Sequence, residues 1–257
     1  MLPDPAGRFN GRVESYRRYR PGYPAEIVDL LMRQCRLRND AMVGDIAAGT
    51  GLLSEIFLAA GFAVTAVEPN AEMRAACSEL KEQYNKLQVV AGTAEATGLA
   101  DRSVDLVTAA QAMHWFDLER TRREFLRILK PGGWCAAIYN TLRSEGDALH
   151  VGLDGIQREF GIDYLSVRQQ LVSDERLAEF YAPAEMKYVM FPNARTLTEE
   201  ALEGRILSAS YMPQPGDARF EEMIAAIKRL FAENQSGGMV TVRYDCVMRY
   251  AQLGSVG

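Results

Sequence analysis

Histidine is nearly missing from this chain: His114 and His150 are the only two in 257 residues. That scarcity leaves little for a metal centre built on imidazole. The four cysteines do not supply one either, because Cys35, Cys77, Cys135 and Cys246 lie far apart and form no Cys-x-x-Cys pair. No metal is therefore expected. The same spacing offers no disulfide framework, so reduced thiols and a cytoplasmic location are the expectation. No run of about 18 apolar residues is available to span a bilayer. The opening MLPDPAGRFNGR has prolines and arginines where a secretory leader needs an apolar stretch. An excess of positive charge is lacking too, since 29 Lys and Arg stand against 34 Asp and Glu, a formal net charge of -5. A phosphate-tracking surface needs the opposite balance, so the expected partners include neither nucleic acid nor membrane. Arg8, Arg12, Arg17, Arg18 and Arg20 do gather with Phe9, Tyr16, Tyr19 and Tyr23 near the start. The acidic total argues against an RNA-binding patch there.

What is present is the rhythm of an α/β protein. From residue 41, short apolar runs alternate with amphipathic stretches: 41–47, 54–61, 63–68, 71–84, 87–92, 104–110, 118–129 and 133–140. Apolar runs of four to seven residues bounded by Gly, Asp or Asn read as buried strands, and their alternation with helical stretches predicts a parallel sheet covered on both faces. After Asn140 the rhythm breaks. A strand is expected at 186–191 and a helix at 198–210, with aromatic pieces around Phe160 and Tyr164. The next clear helix is 217–234, and the alternation of 239–252 predicts a final antiparallel strand. The expected organisation is an N-terminal segment 1–24, a core 25–140, a cap with a sixth strand 141–216, and a C-terminal helix and strand 217–257.

The sharpest local signal is VGDIAAGTG, Val43 to Gly51, where the first strand should turn into a helix. Glycines there let the backbone approach a ligand, and the amides opening the helix offer donors. Alone, such a turn fits a dinucleotide, a phosphate or no ligand. The second strand ends in Glu68, seventeen residues after Gly51 (68 minus 51). An acid at that tip is placed to accept both hydroxyls of a ribose. The turn lacks the third glycine of G-x-G-x-x-G, so a nucleoside without a pyrophosphate fits better.

At this point the residues resemble the class I S-adenosylmethionine-dependent methyltransferases, and within them the trans-aconitate methyltransferase-like branch. Asp45-Ile46-Ala47-Ala48-Gly49-Thr50-Gly51 is similar to the family's D-x-G-x-G-T-G, and Glu68-Pro69-Asn70 to its ribose-binding acid and following turn. GTAEATGLADRSVDLVTAAQAMHWFD, LKPGGW and YRRYRPGYP resemble further family stretches in family order. The resemblance implies a Rossmann-like doubly wound, mostly parallel sheet with a terminal antiparallel strand and a cap after strand 5. It implies S-adenosylmethionine as cofactor, held by Asp45, Ala47, Gly49, Thr50, Gly51, Glu68, Pro69 and Met73. By the same likeness Thr93, Ala94 and Glu95 sit at the adenine, and Gln111 and Ala112 nearer the methyl donor. Tyr16 and Arg20 are candidates to meet the donor's carboxylate, with residues 1–24 closing as a lid. His114 is the candidate base and Trp115, with Phe116, the candidate roof over the sulfonium, whose charge an aromatic face attracts. Arg205, Ser208, Ser210 and Tyr211 resemble a stretch that faces the acceptor. Ala47 replaces the family's first glycine, which predicts a negative φ there or a cofactor standing further off. The expected activity is methyl transfer to a small molecule, a carboxylate first and a hydroxyl or carbon centre of quinone or natural-product biosynthesis second. A cofactor-binding module without turnover is the third reading, and a monomer or homodimer is the expected assembly.

Overall fold

The computed structural model describes residues 11–143, 146–162, 164 and 172–253. Arg8 and Phe9 of the expected lid, like residues 165–171 of the expected cap, lie outside the described residues. The apolar runs form the strands they predict. Two helices, α1 (Val13–Tyr19) and α2 (Glu26–Gln34), precede β1 (Met42–Ile46), α3 (Leu52–Ala59), β2 (Ala63–Val67), α4 (Ala71–Glu79), β3 (Leu87–Val90), β4 (Val104–Ala110), α5 (Leu118–Ile128) and β5 (Leu129–Leu142). There follow α6 (Ala148–Phe160), α7 (Asp174–Tyr181), β6 (Lys187–Leu197), α8 (Glu199–Leu207), α9 (Phe220–Asn234) and β7 (Val240–Gln252). Five of the helices start on an oxygen that caps the first turn: Asn70 for α4, Asp117 for α5, Asp147 for α6, Ser173 for α7 and Thr198 for α8.

All seven strands form one sheet in the order β3-β2-β1-β4-β5-β7-β6. The first five are parallel, and Val43, Ile46, Val64, Val67, Leu106 and Val107 are buried because helices cover both faces. The closing strand β7 is antiparallel to both neighbours, but it lies one place in from the edge. Its alternate residues Val240, Val242, Tyr244, Cys246, Met248 and Tyr250 are buried, as a strand flanked on both sides requires. The edge falls to β6, where Pro192 brings no N–H to a ladder and Tyr188 and Met190 are exposed. Residues 141–216 do not stand apart from the C-terminal helix and strand. Leu149 and Leu153 of α6, Leu202 and Ile206 of α8, Met223 and Ile227 of α9, and Val242 and Tyr244 of β7 form one apolar cluster.

Asp45 sits in the middle of this frame. It is 1 % exposed, and its carboxylate accepts Ser54 Oγ at 2.6 Å and Thr108 Oγ1 at 3.0 Å, joining β1 to α3 and to β4. Burial pushes its pKa up to about 6 from the ordinary 3.8, against the pull of those two hydroxyls. A folded-state pKa above the unfolded one gives a contribution that is complete below pH 3.8 and is lost as pH rises through about 6. The charged form at neutral pH therefore costs on the order of 3 kcal/mol relative to the acid form. Asp45→Asn keeps the shape and the capacity to bond both hydroxyls. We expect its melting temperature, measured from pH 4 to pH 8 beside the parent, to gain on the parent as pH rises. Parallel curves would show that Asp45 titrates normally.

Candidate active site

The sheet runs outward in opposite directions from the β1–β4 boundary, which leaves a crevice beyond the carboxyl ends of the strands. A cavity of about 330 Å³ opens there, a size suited to a small-molecule ligand. Ala47 and Gly49 line it from the turn after β1, Glu68 and Pro69 from the end of β2, and Met73 from α4. Thr93, Ala94 and Glu95 come from the loop after β3, Ala110, Gln111 and Ala112 from the end of β4, and Trp115 and Phe116 from the turn before α5. Tyr16 of α1 reaches in from outside the sheet. Of the expected cofactor residues, Asp45, Thr50, Gly51 and Arg20 are not on this wall. Asp45 and Thr50 are buried behind it, and a Cβ on Gly51 would stand 2.6 Å from Leu80 Cδ1, so this glycine seats α3 against α4.

The turn itself departs from expectation. Ala47 has φ +56°, in the left-handed region, not the negative φ that a side chain favours. Tertiary bonds impose it: Ala48 N donates to Val67 O at 3.1 Å and Gly49 N to Glu68 Oε2 at 2.8 Å, so the chain must curl towards β2. Gln111, also at φ +56°, is held in the same way by Ile138 O and Asn140 O at 2.9 Å each. Two strained non-glycine residues thus line one cavity, at about 1–2 kcal/mol each.

Glu68 is 6 % exposed, and its second oxygen accepts the Asn70 amide at 2.8 Å. Burial raises its pKa above the ordinary carboxylate value, with the Asn70 and Gly49 amides working the other way. In the β3 loop, Thr93 and Ala96 bond each other across a tight bridge, and Glu95 accepts the Asp117 amide at 3.0 Å. His114 is not on the cavity wall. Its ring lies 4.5 Å from that of Trp115 and 6.2 Å from that of Tyr139, behind the wall that Trp115 forms.

Helix α1 bridges the crevice. Arg17 pairs with Glu79 of α4 on one side, and on the other Arg12 donates to the carbonyls of Leu207, Ala209 and Met212 at the end of α8. Tyr19 packs where a Cβ on Gly204 would stand 2.2 Å from its ring, so α8 needs glycine there. Arg195 of β6 donates to the carbonyls of Arg18 and Arg20. Arg20 donates to Ser208 O at 3.2 Å and stacks on Tyr16 at 5.1 Å. Sequence reasoning missed Ala110 on the wall, and it missed Tyr244 and Asn140 in a second, adjoining cavity, since nothing in a buried strand marks a residue as facing a ligand.

Residues 44–137 match the model of a methyltransferase domain. That stretch is therefore similar to methyltransferase domains, and the sheet has the fold of solved methyltransferases. An uncharacterised methyltransferase of Mycobacterium tuberculosis is 39% identical over 133 residues, 52% of this chain and 52% of that protein, so the match spans about half the length of this relative. An uncharacterised methyltransferase-like protein of Schizosaccharomyces pombe is 28% identical over 226 residues, 86% of this chain and 85% of its own. The fold is shared with a crystal structure from Anabaena variabilis assigned as a methyltransferase of an antibiotic biosynthesis pathway. The TM-score is 0.61 at 20% identity, covering 92% of this chain and 99% of that one.

The methyltransferase fold implies an S-adenosyl ligand, and Glu68 gives a direct test. Removing its charge-assisted hydrogen bonds in Glu68→Ala should weaken S-adenosylhomocysteine by about 1–3 kcal/mol in calorimetry. The parent's affinity should also fall on acidification, beginning above pH 4.5 because the carboxyl is raised from that value, and Glu68→Gln should lose this dependence. Equal affinity in all three proteins would remove Glu68 from the ligand site.

Proposed function

We propose that this chain is an S-adenosylmethionine-dependent methyltransferase acting on a small molecule. The observation that carries the reading is the Glu68 carboxylate, held by two amides at the rim of a cavity on the β1–β4 boundary. Its oxygens suit paired ribose hydroxyls. The small side chains of Ala94 and Ala112, with Met73 and Phe116, give the flat apolar walls that a purine needs. The donor supplies a methyl on a sulfonium, already charged, whose displacement leaves a neutral thioether. The protein's work is then position and dryness. Tyr16 covers the cavity from α1, with the Arg20 guanidinium stacked on its ring. Trp115 presents its ring to the methyl-bearing end, and His114, stacked behind it, is a positioning residue for that ring. No helix among the described residues is long and apolar enough to cross a membrane. All four cysteines are buried free thiols, in keeping with a reducing, cytoplasmic setting.

Helix α1 is read as the wall that seals this site. Its bonds to α4 and α8 support that role. Transfer of labelled methyl from S-adenosylmethionine to members of a small-molecule acceptor panel should be measurable and unchanged by exhaustive chelation, because displacement at a sulfonium needs no Lewis acid. Gly204→Val, which drives a side chain into Tyr19, should weaken S-adenosylhomocysteine about tenfold or more by dislodging α1. Failure of the parent to bind S-adenosylhomocysteine would overturn the reading. Undiminished binding by Gly204→Val, with α1 shown displaced by proteolysis near residue 20, would take α1 out of the site.

A further inference from the structure

Beside the cofactor cavity, and sharing Tyr16 and Gln111 with it as walls, lies a smaller one of about 20 Å³, closed by Arg20, Asn140, Arg205 and Tyr244. A space of that size holds one water or one oxygen of a ligand group. Its charges do not balance. Arg205 is 5 % exposed, its Nε donates to Tyr244 Oη at 2.8 Å, and its guanidinium faces the Tyr244 ring at 5.5 Å. Among the described residues no carboxylate forms an ion pair with Arg205 or Arg20, and the Arg205 Nη groups make no hydrogen bond. Arg20 adds a second guanidinium whose Nε is buried without a partner. The buried acids and the buried histidine are matched: Asp45 by two hydroxyls, Glu68 by two amides, and His150 by Asp147. An arginine cannot shed its charge to escape burial, so an uncompensated one calls for an anion.

We propose that the pocket between Arg205 and Arg20 is the anion site of the methyl acceptor, which enters as a carboxylate with one oxygen on the Arg205 Nη groups. The rest of the acceptor then extends past Tyr16 and Gln111 towards the donor. The proposal rests on the larger cavity being the donor site. The donor's own carboxylate is the other source of such a charge, and a test has to separate the two.

The probe is acetate, with acetamide as its uncharged match at equal ionic strength, added to the full chain with and without saturating S-adenosylhomocysteine and followed by thermal melting. Acetate alone should raise the melting temperature of the parent. The rise should vanish in Arg205→Met, which fills the space without charge, and persist in part in Arg205→Lys. Calorimetry of the parent and Arg205→Met with S-adenosylhomocysteine and with methylthioadenosine, which lacks the amino-acid tail, supplies the second arm. The ratio of the two affinities should stay within about twofold. Acetate acting no differently from acetamide, or acting equally on Arg205→Met, overturns the anion site. A ratio that collapses in Arg205→Met gives the pocket to the donor's tail and overturns the acceptor assignment. Should the parent fail to bind S-adenosylhomocysteine, the donor reading falls, while the acetate arm on the free protein still decides the anion site.

Discussion

Two backbone amides, those of Gly49 and Asn70, converge on the Glu68 carboxylate, and the carboxyl end of the sheet is arranged so that they can. Gly49 offers its N–H only because the chain after β1 curls through left-handed conformations at Ala47 and Gly49. Asn70 offers its own at the point where it caps α4. One carboxylate thereby ties the β1–α3 turn to the β2–α4 turn at the mouth of the cavity. Such preorganisation has a cost, visible as the upward push that burial gives the Glu68 pKa and as strained φ at Ala47. A ligand with two adjacent hydroxyls meets an acid already aimed, so little ordering remains to be done on binding.

Much of this was legible in residue order. The runs 41–47, 63–68, 87–92 and 104–110 became β1 to β4 because a parallel sheet buried on both faces leaves no polar alternation to confuse the reading. Most of the wall was named by the family resemblance, and it lies at the carboxyl ends of the strands, where ligand residues of an open parallel sheet are found. What was not legible depended on partners remote in sequence. The left-handed φ of Ala47 is set by Val67 O and Glu68, beyond what the local sequence encodes. The place of β7 inside the edge is a matter of which strand caps which, and an alternating pattern is silent on neighbours. The resemblance named His114 and Trp115 together, and the short turn at Met113–Trp115 puts Trp115 on the cavity wall with the His114 ring against it.

The N-terminal segment shows how composition misleads about autonomy. Its prolines, glycines and arginines suggest a polar strip able to swing free. In place it does structural work for its neighbours: Arg12 gathers three carbonyls at the end of α8 and in the turn after it, and Gly22 O accepts the side-chain amides of Asn140 and Asn193. Arginine serves here as a carbonyl clamp, with Arg195 doing the same for the carbonyls of Arg18 and Arg20.

The seat of β7 between β5 and β6 has a consequence for how the chain comes together. β6 has no other neighbour in the sheet, so the edge strand reaches the parallel core only through the last strand made. During synthesis β1 to β5 can assemble as a unit while β6, α8 and the clamp that Arg12 makes on α8 wait for residues 240–252 to emerge. The cavity beyond β1 to β4 is thus lined mainly by strands made early, while the Arg205 pocket is closed by one made late. Tyr244, the residue that steadies Arg205, arrives on the strand that completes the fold.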